Sequence, residues 1–137
     1  MSARTKARKR ALDVLYSADL RDIPLATMLK TEAERAVKEP QRESSWNYAS
    51  EIVTGVIDHQ TEIDELIEVH SHAWTLGRMP AIDRAILRIG VWEVVFNDEI
   101  PLGVGISEAV EAATVFSTED SARFVNGVLA AIATAKS

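Results

Sequence analysis

The chain contains 137 residues, of which 47% are hydrophobic and 26% are charged, a balance typical of a single globular domain. It contains no cysteine, which excludes thiol nucleophiles, cysteine-ligated zinc and iron–sulfur clusters and fits a reducing compartment. No apolar run approaches the ~20 residues of a membrane span, so the sequence predicts a cytoplasmic protein with no membrane partner.

Positive charge is concentrated at the beginning of the chain. Five of the 15 basic residues lie within the first ten positions, whereas all 21 acidic residues lie in the remainder. Because an acidic body repels polyanions and a basic terminus attracts them, we expect nucleic-acid contact at this end. A solvated basic tail without a ligand is the alternative. The five cations are Arg4, Lys6, Arg8, Lys9 and Arg10.

The spacing of apolar residues predicts a first helix over about 6–19. Arg4 and Arg8 project near the edge of its apolar stripe, and a buried face would not tolerate their charges. We therefore predict that the packed part of this helix begins near Ala7 and that residues 1–6 form a mobile basic arm.

Six further helices are predicted, and no period-2 pattern indicates a strand. Their spans are about 24–37, 44–57, 61–67, 80–96, 106–113 and 117 onward. Ser44 or Ser45 is expected to cap the third helix, and Ser117 the seventh. A capping box of Thr61 and Asp64 opens the fourth, unless that helix is a kinked continuation of the third. The fifth is so densely apolar that we expect it to be central in an all-α bundle of about seven helices.

The sequence offers little for catalysis. The three histidines, His59, His70 and His72, lack the i, i+3 or i+4 spacing that places two metal ligands on one helical face. Gly103 and Gly105 form a GxG fragment, but no strand precedes it and no phosphate-binding lysine follows. We therefore predict a protein that is not an enzyme and that holds neither a metal nor a cofactor.

Two features raise the question of RNA contact. Tyr16 shares a helical flank with Lys9, where its ring could stack on an unpaired base, although a half-buried core tyrosine is equally compatible. Gly127 lies inside a strong helical pattern, where glycine costs about 1 kcal/mol relative to alanine. A close helix crossing would explain this glycine, and an amide such as that of Asn126 on an open surface could instead read a base edge. Physics alone favours tight packing at Gly127.

Four blocks occur in order along the chain and are far more specific together than singly. They are the basic segment leading into ALDVLY at 11–16, IDRAILRI at 82–89, Pro101 with ISEAV at 106–110, and EDS at 119–121 leading into FVNGVL at 124–129. In these blocks the sequence resembles the NusB family of transcription antitermination factors.

The resemblance implies an all-helical protein of two small helical subdomains, about residues 7–78 and 79–137. It implies binding of boxA, a single-stranded element of nascent ribosomal RNA transcripts, together with NusE, a ribosomal protein of the small subunit. It further implies participation in an antitermination complex on RNA polymerase.

The resemblance also assigns site residues. Asp83 carries over as a contact to the protein partner. The departures are Ser107, where the family commonly has asparagine, and Thr114, where it commonly has lysine, and both leave the RNA affinity open. The RNA-binding positions that it implies are Arg4, Lys6, Arg8, Lys9, Arg10, Tyr16, Asp120, Phe124 and Asn126.

Two other hypotheses remain open at this point. A similar helical module precedes the catalytic domain of some ribosomal-RNA cytosine methyltransferases, and one hypothesis is that the chain corresponds to such a module, although it contains no cysteine nucleophile. Alternatively, the chain forms a homodimer that hides the basic arm.

Overall fold

The computed structural model describes residues 2–72 and 74–136, and within them it contains seven α-helices and no strand. This confirms the predicted all-α fold. None of the described helices is both long and apolar enough to cross a membrane. The helices are α1 (Ala3–Leu20), α2 (Leu25–Val37), α3 (Glu43–Asp58), α4 (Gln60–Ser71), α5 (Ala81–Val91), α6 (Leu102–Phe116) and α7 (Glu119–Lys136).

The chain divides into two compact units, Met1–Asp58 and His59–Ser137. This division differs from the predicted boundary near residue 78. Helix α4 belongs to the second unit because it packs against α5. There Arg88 donates two hydrogen bonds to the carboxylate of Asp64, at 2.9 and 3.2 Å.

The first unit is built around the contact between α1 and α3, with α2 packed against both. Ala7 and Ala11 of α1 and Ala49 of α3 are fully buried. Small side chains at a helix contact allow the two backbones to approach closely. The surrounding core consists of Leu12, Val14, Leu15, Met28, Ile52, Val53 and Val56.

Helix α1 begins earlier than the sequence indicates. Its first residue is Ala3, and the Ser2 hydroxyl accepts a hydrogen bond from the Thr5 backbone N–H at 3.0 Å. Such a cap satisfies one of the backbone donors left unpaired at a helix start. The packed part of the helix begins at Ala7 as predicted, because Ala7 is the first buried residue among those described, whereas positions 3–6 of the predicted arm are helical. Position 1 lies outside the described residues.

The second unit is centred on α5, as its apolar density predicts, because α5 packs against α4, α6 and α7. Gly90 contributes to this packing: a Cβ at this position would lie 2.7 Å from the Cδ1 atom of Leu129. Beyond α5 the chain continues into a π-helical turn, Trp92–Phe96. The core side chains of this unit include Ile86, Leu87, Val91, Val94, Val125 and Ile132.

The predicted caps of the third and fourth helices are wrong. Helix α3 follows directly from a 3-10 turn, so Ser44 and Ser45 lie inside it instead of before it. Helix α4 begins at Gln60 without any side-chain cap. It is not continuous with α3, because the backbone of His59, with φ −121° and ψ 19°, is not helical.

The start of α7 also differs from the prediction. The Ser121 backbone N–H donates to the Thr118 hydroxyl at 3.0 Å, so Thr118 caps the helix. Ser117 instead donates its hydroxyl hydrogen to Asp83 at 2.7 Å. Helix α6 begins at Leu102, immediately after Pro101, four residues before the predicted start.

Candidate nucleic-acid interface

The first turn of α1 presents positive charge to solvent. Arg4 and Lys6 are both exposed, and this turn contains no acidic residue. Exposed cations can contact the phosphates of a nucleic acid. Among the five predicted cations, these two are the exposed ones.

Arg8 is only 9% exposed, whereas the sequence predicts that a buried face would not tolerate its charge. The reason lies on α3, where the buried ring of Tyr48 faces two guanidinium groups. The Cζ atoms of Arg4 and Arg8 lie 5.2 and 5.8 Å from the ring centroid. Both distances are within the range of cation–π attraction, which compensates for the partial loss of water.

Lys9 and Arg10 are engaged within the first unit. The ammonium group of Lys9 lies 2.7 Å from a carboxylate oxygen of Asp13. Arg10 donates to the Arg42 carbonyl at 3.3 Å and to the Ser45 hydroxyl at 3.2 Å. Burial lowers the pKa of Arg10, and the positive charge of Arg42 lowers it further. RNA would have to compete with these contacts.

A cleft of about 220 Å³ adjoins Arg10, a feature that the sequence did not reveal. The positive and negative charges that line it balance, because Arg35 donates a hydrogen bond to the carboxylate of Glu32 at 3.0 Å and Arg42 donates one to that of Glu39 at 3.0 Å. Balanced lining charges give no preference for an anion, so the cleft adds nothing to the basic surface. Its lining comprises Arg10, Asp13, Val14, Ser17, Met28, Glu32, Arg35, Glu39, Arg42 and Trp46.

The remaining predicted RNA-binding residues divide between the two units. Tyr16 lies on α1 and is half-buried, which suits either stacking or core packing. Asp120 and Asn126 are exposed on α7, and the carboxylate of Asp120 forms an ion pair with Arg123. Their roles in RNA binding stay predictions.

Phe124 belongs to an aromatic pair that the sequence reasoning missed. Its ring meets Trp74 edge to face, with centroids 5.0 Å apart and an interplanar angle of 65°. Trp74 is 39% exposed, so part of this pair is open to solvent. Exposed aromatic faces can stack on the splayed bases of single-stranded RNA. The available signal was a tryptophan between the predicted fourth and fifth helices.

The explanation of Gly127 by tight packing is wrong. The residue is exposed, and among the described residues no atom beyond its chain neighbours and its own helix backbone lies within 4 Å of a Cβ built on it. Asn126 beside it is also exposed. In the described part of the chain, packing therefore gives no reason for a glycine in the middle of α7.

Asp83, the predicted contact to the protein partner, lies inside the second unit. Its side chain is completely buried, and its two carboxylate oxygens accept hydrogen bonds from Ser117 and Ser121, each at 2.7 Å. A carboxylate in this position connects α5 to the start of α7, and its contact to a partner stays a prediction. Two donors satisfy it, which is the usual condition for burying such a group.

The two departures from the family pattern lie on α6. Ser107 and Thr114 are exposed, and the Thr114 hydroxyl donates to the Val110 carbonyl at 2.9 Å.

Among the described residues, no group of three or more histidine, aspartate or glutamate side chains is arranged to hold a metal ion.

Comparison with known proteins identifies the family. The family model described as the NusB family matches residues 5–134. The chain is 72% identical over 133 residues to the transcription antitermination protein NusB of Leifsonia xyli, with 97% of this chain and 92% of that protein covered. It is 61% identical to the protein of the same name from Clavibacter sepedonicus, with 99% of each covered.

Solved structures agree with this assignment. A crystal structure of the antitermination factors NusB and NusE in complex with dsRNA contains a chain with a TM-score of 0.81 and 31% identity, covering 98% of both chains. A structure of T. maritima NusB has a TM-score of 0.79 and 30% identity, covering 96% of this chain and 90% of that one. This chain therefore belongs to the NusB family of transcription antitermination proteins.

Proposed function

We propose that this chain acts as a transcription antitermination factor that binds boxA-type single-stranded RNA of nascent ribosomal RNA transcripts together with NusE. The observation that carries the proposal is the basic start of α1, where Arg4 and Lys6 are exposed in a turn without acidic residues. The similar NusB chain crystallised with NusE and dsRNA supports RNA and NusE as the partners.

The electrostatics explain why a protein partner is needed. All 21 acidic residues lie beyond the first ten positions, so most of the chain repels RNA. A basic ribosomal protein would supply phosphate contacts that this chain lacks. We include the antitermination complex on RNA polymerase in the proposal, whereas masking of the basic segment by a homodimer stays a prediction.

The structure changes the expected salt dependence of RNA binding. If all five cations contacted phosphates, the slope of log K against log salt would be about −3.5 for a single strand. Lys9 and Arg10 already have partners within the protein, and Arg8 is buried. Contacts from Arg4 and Lys6 alone give a slope of about −1.4, so we expect a value between these limits.

The test uses Arg4→Ala combined with Lys6→Ala. The matched control is Lys30→Ala combined with Lys38→Ala, which removes the same charge from exposed positions on or beside α2. We expect the first pair to weaken binding of a boxA oligonucleotide by about an order of magnitude and to reduce the salt slope by about 1.4. The control pair should change both quantities little.

Binding is measured by fluorescence anisotropy at several salt concentrations, with and without NusE, and with a duplex of the same sequence as competitor. Cooperative tightening by NusE and preference for the single strand are the expected results. Equal affinities of the two variant pairs would contradict the proposed role of α1.

A second candidate function receives no support from a specific observation. The relatives compared above carry the name of the antitermination protein, not that of a methyltransferase. We propose no catalytic step for this chain.

A further inference from the structure

The start of α1 is helical although the charges of its own residues disfavour a helix there. The N-terminus of a helix carries partial positive charge, which disfavours cations in its first turn. This turn nevertheless contains Arg4 and Lys6 and no acid to compensate. Arg4 and Arg8, four residues apart, also repel each other across one helical turn. A segment of this composition frays unless contacts from elsewhere hold it.

Two contacts oppose fraying. The Ser2 hydroxyl satisfies the backbone N–H of Thr5. The second contact comes from α3, where the ring of Tyr48 is 8% exposed and therefore fixed in the core of the first unit. Arg4 and Arg8 place their guanidinium groups 5.2 and 5.8 Å from this ring. One aromatic ring thus attracts both cations that repel each other.

The consequence for Arg4 differs from that for Arg8. Arg8 is buried against the ring, whereas Arg4 remains exposed although its Cζ atom lies closer to the ring centroid. Arg4 is therefore held at one end by Tyr48 and is still accessible to a phosphate. A guanidinium whose conformation is already restricted loses less entropy when it binds.

We infer that Tyr48 is a positioning residue for RNA binding, whose ring keeps the first two turns of α1 folded and orients Arg4 before RNA arrives. The inference rests on the proposed function, because it assigns a role in the same RNA contact. It adds a residue on α3 that need not touch RNA.

The test compares Tyr48→Leu, which removes the aromatic ring, with Tyr48→Phe, which retains it. We expect Tyr48→Leu to weaken boxA binding by about threefold to tenfold, on the scale of one or two cation–π contacts, and Tyr48→Phe to bind like the unaltered protein. Without RNA, the amide hydrogens of residues 5–8 should exchange faster in Tyr48→Leu only. Equal binding by Tyr48→Leu, or equal losses in both variants, would overturn the inference.

A double-mutant cycle separates positioning from general stability. In the Arg4→Ala background, Tyr48→Leu should weaken binding by a smaller factor than it does in the unaltered chain, because one of its two cations is gone. If Tyr48 supported only the fold, the two losses would multiply independently, and that result would overturn the inference.

The unaltered protein provides a check that needs no variant. A ring held against a guanidinium shifts the NMR signals of the nearby arginine side-chain protons upfield. Upfield signals for Arg4 and Arg8 support the arrangement even if Tyr48→Leu does not fold, and ordinary shifts for both would overturn it. If the variants of Arg4 and Lys6 bind RNA normally, the proposed function fails. If those variants lose binding and Tyr48→Leu does not, only this inference fails.

Discussion

Replacing Gly127 by alanine should stabilise the protein. Gly127 is the ninth residue of the 18-residue helix α7, and a methyl group placed on it meets no described atom within 4 Å beyond its chain neighbours and its own helix backbone. Neither steric strain nor a positive φ opposes the substitution. The free energy of unfolding should therefore rise by nearly the full difference between glycine and alanine in a helix interior, about 1 kcal/mol.

This energy corresponds to a measurable shift in melting temperature. With an unfolding entropy of about 2.1 cal/mol/K per residue, Tm should rise by about 3–4 °C if the whole chain unfolds together. The shift would be about 6 °C if the second unit unfolds alone, because fewer residues then share the transition. Calorimetry measures Tm, and urea unfolding measures the free energy.

Gly90→Ala is the matched control, since it makes the same chemical change in helix α5. There the new Cβ would lie 2.7 Å from Leu129, whose side chain is completely buried. Overpacking lowers the free energy of unfolding by about 1–3 kcal/mol, which cancels or exceeds the gain of about 1 kcal/mol from replacing glycine in a helix. The Gly90→Ala protein should therefore be less stable than the Gly127→Ala protein. A Gly127→Ala protein that is no more stable than the unaltered chain would refute the reasoning that this site is open.

The remaining predictions concern the second unit, and urea unfolding checks both. Asp83→Ala should lower the free energy of unfolding by about 2–4 kcal/mol, because the hydroxyls of Ser117 and Ser121 lose a buried acceptor. Asp83→Asn should lower it by about half as much, because the amide keeps one acceptor oxygen. Equal losses in the two variants would contradict the hydrogen-bonding role. Arg88→Lys should cost about 0.5–1 kcal/mol, because an ammonium group cannot reproduce the two-point contact with the carboxylate of Asp64. No change in stability would show that this pair contributes nothing.

Apolar spacing was sufficient to predict the helices but not their ends. A stripe such as Ile52, Val53 and Val56 indicates a buried helical face, and all three residues are fully buried in α3. Caps depend on single hydrogen bonds between neighbouring polar residues. Thr118 and Ser117 are both plausible caps by residue type, and only the structure shows that Asp83 accepts the hydroxyl of Ser117.

For the candidate site, too, the sequence predicted one part and only the structure showed the other. The sequence alone located the basic segment, because charge is a property of composition and needs no neighbours. It could not show which cations are accessible. From the sequence, the charge of Arg8 is incompatible with a buried face, because Tyr48, the residue that accommodates it, lies 40 positions away in the chain.

The sequence alone determined that this protein is all-helical, belongs to its family and has a basic start and an acidic remainder. Periodicity, charge and ordered sequence blocks carry that information locally. Only the tertiary structure decided that Asp83 is buried, that Gly127 faces open solvent and that two arginines share the ring of Tyr48. The physical reason is that burial and pairing depend on which distant side chains meet, and residue spacing within one helix does not specify them.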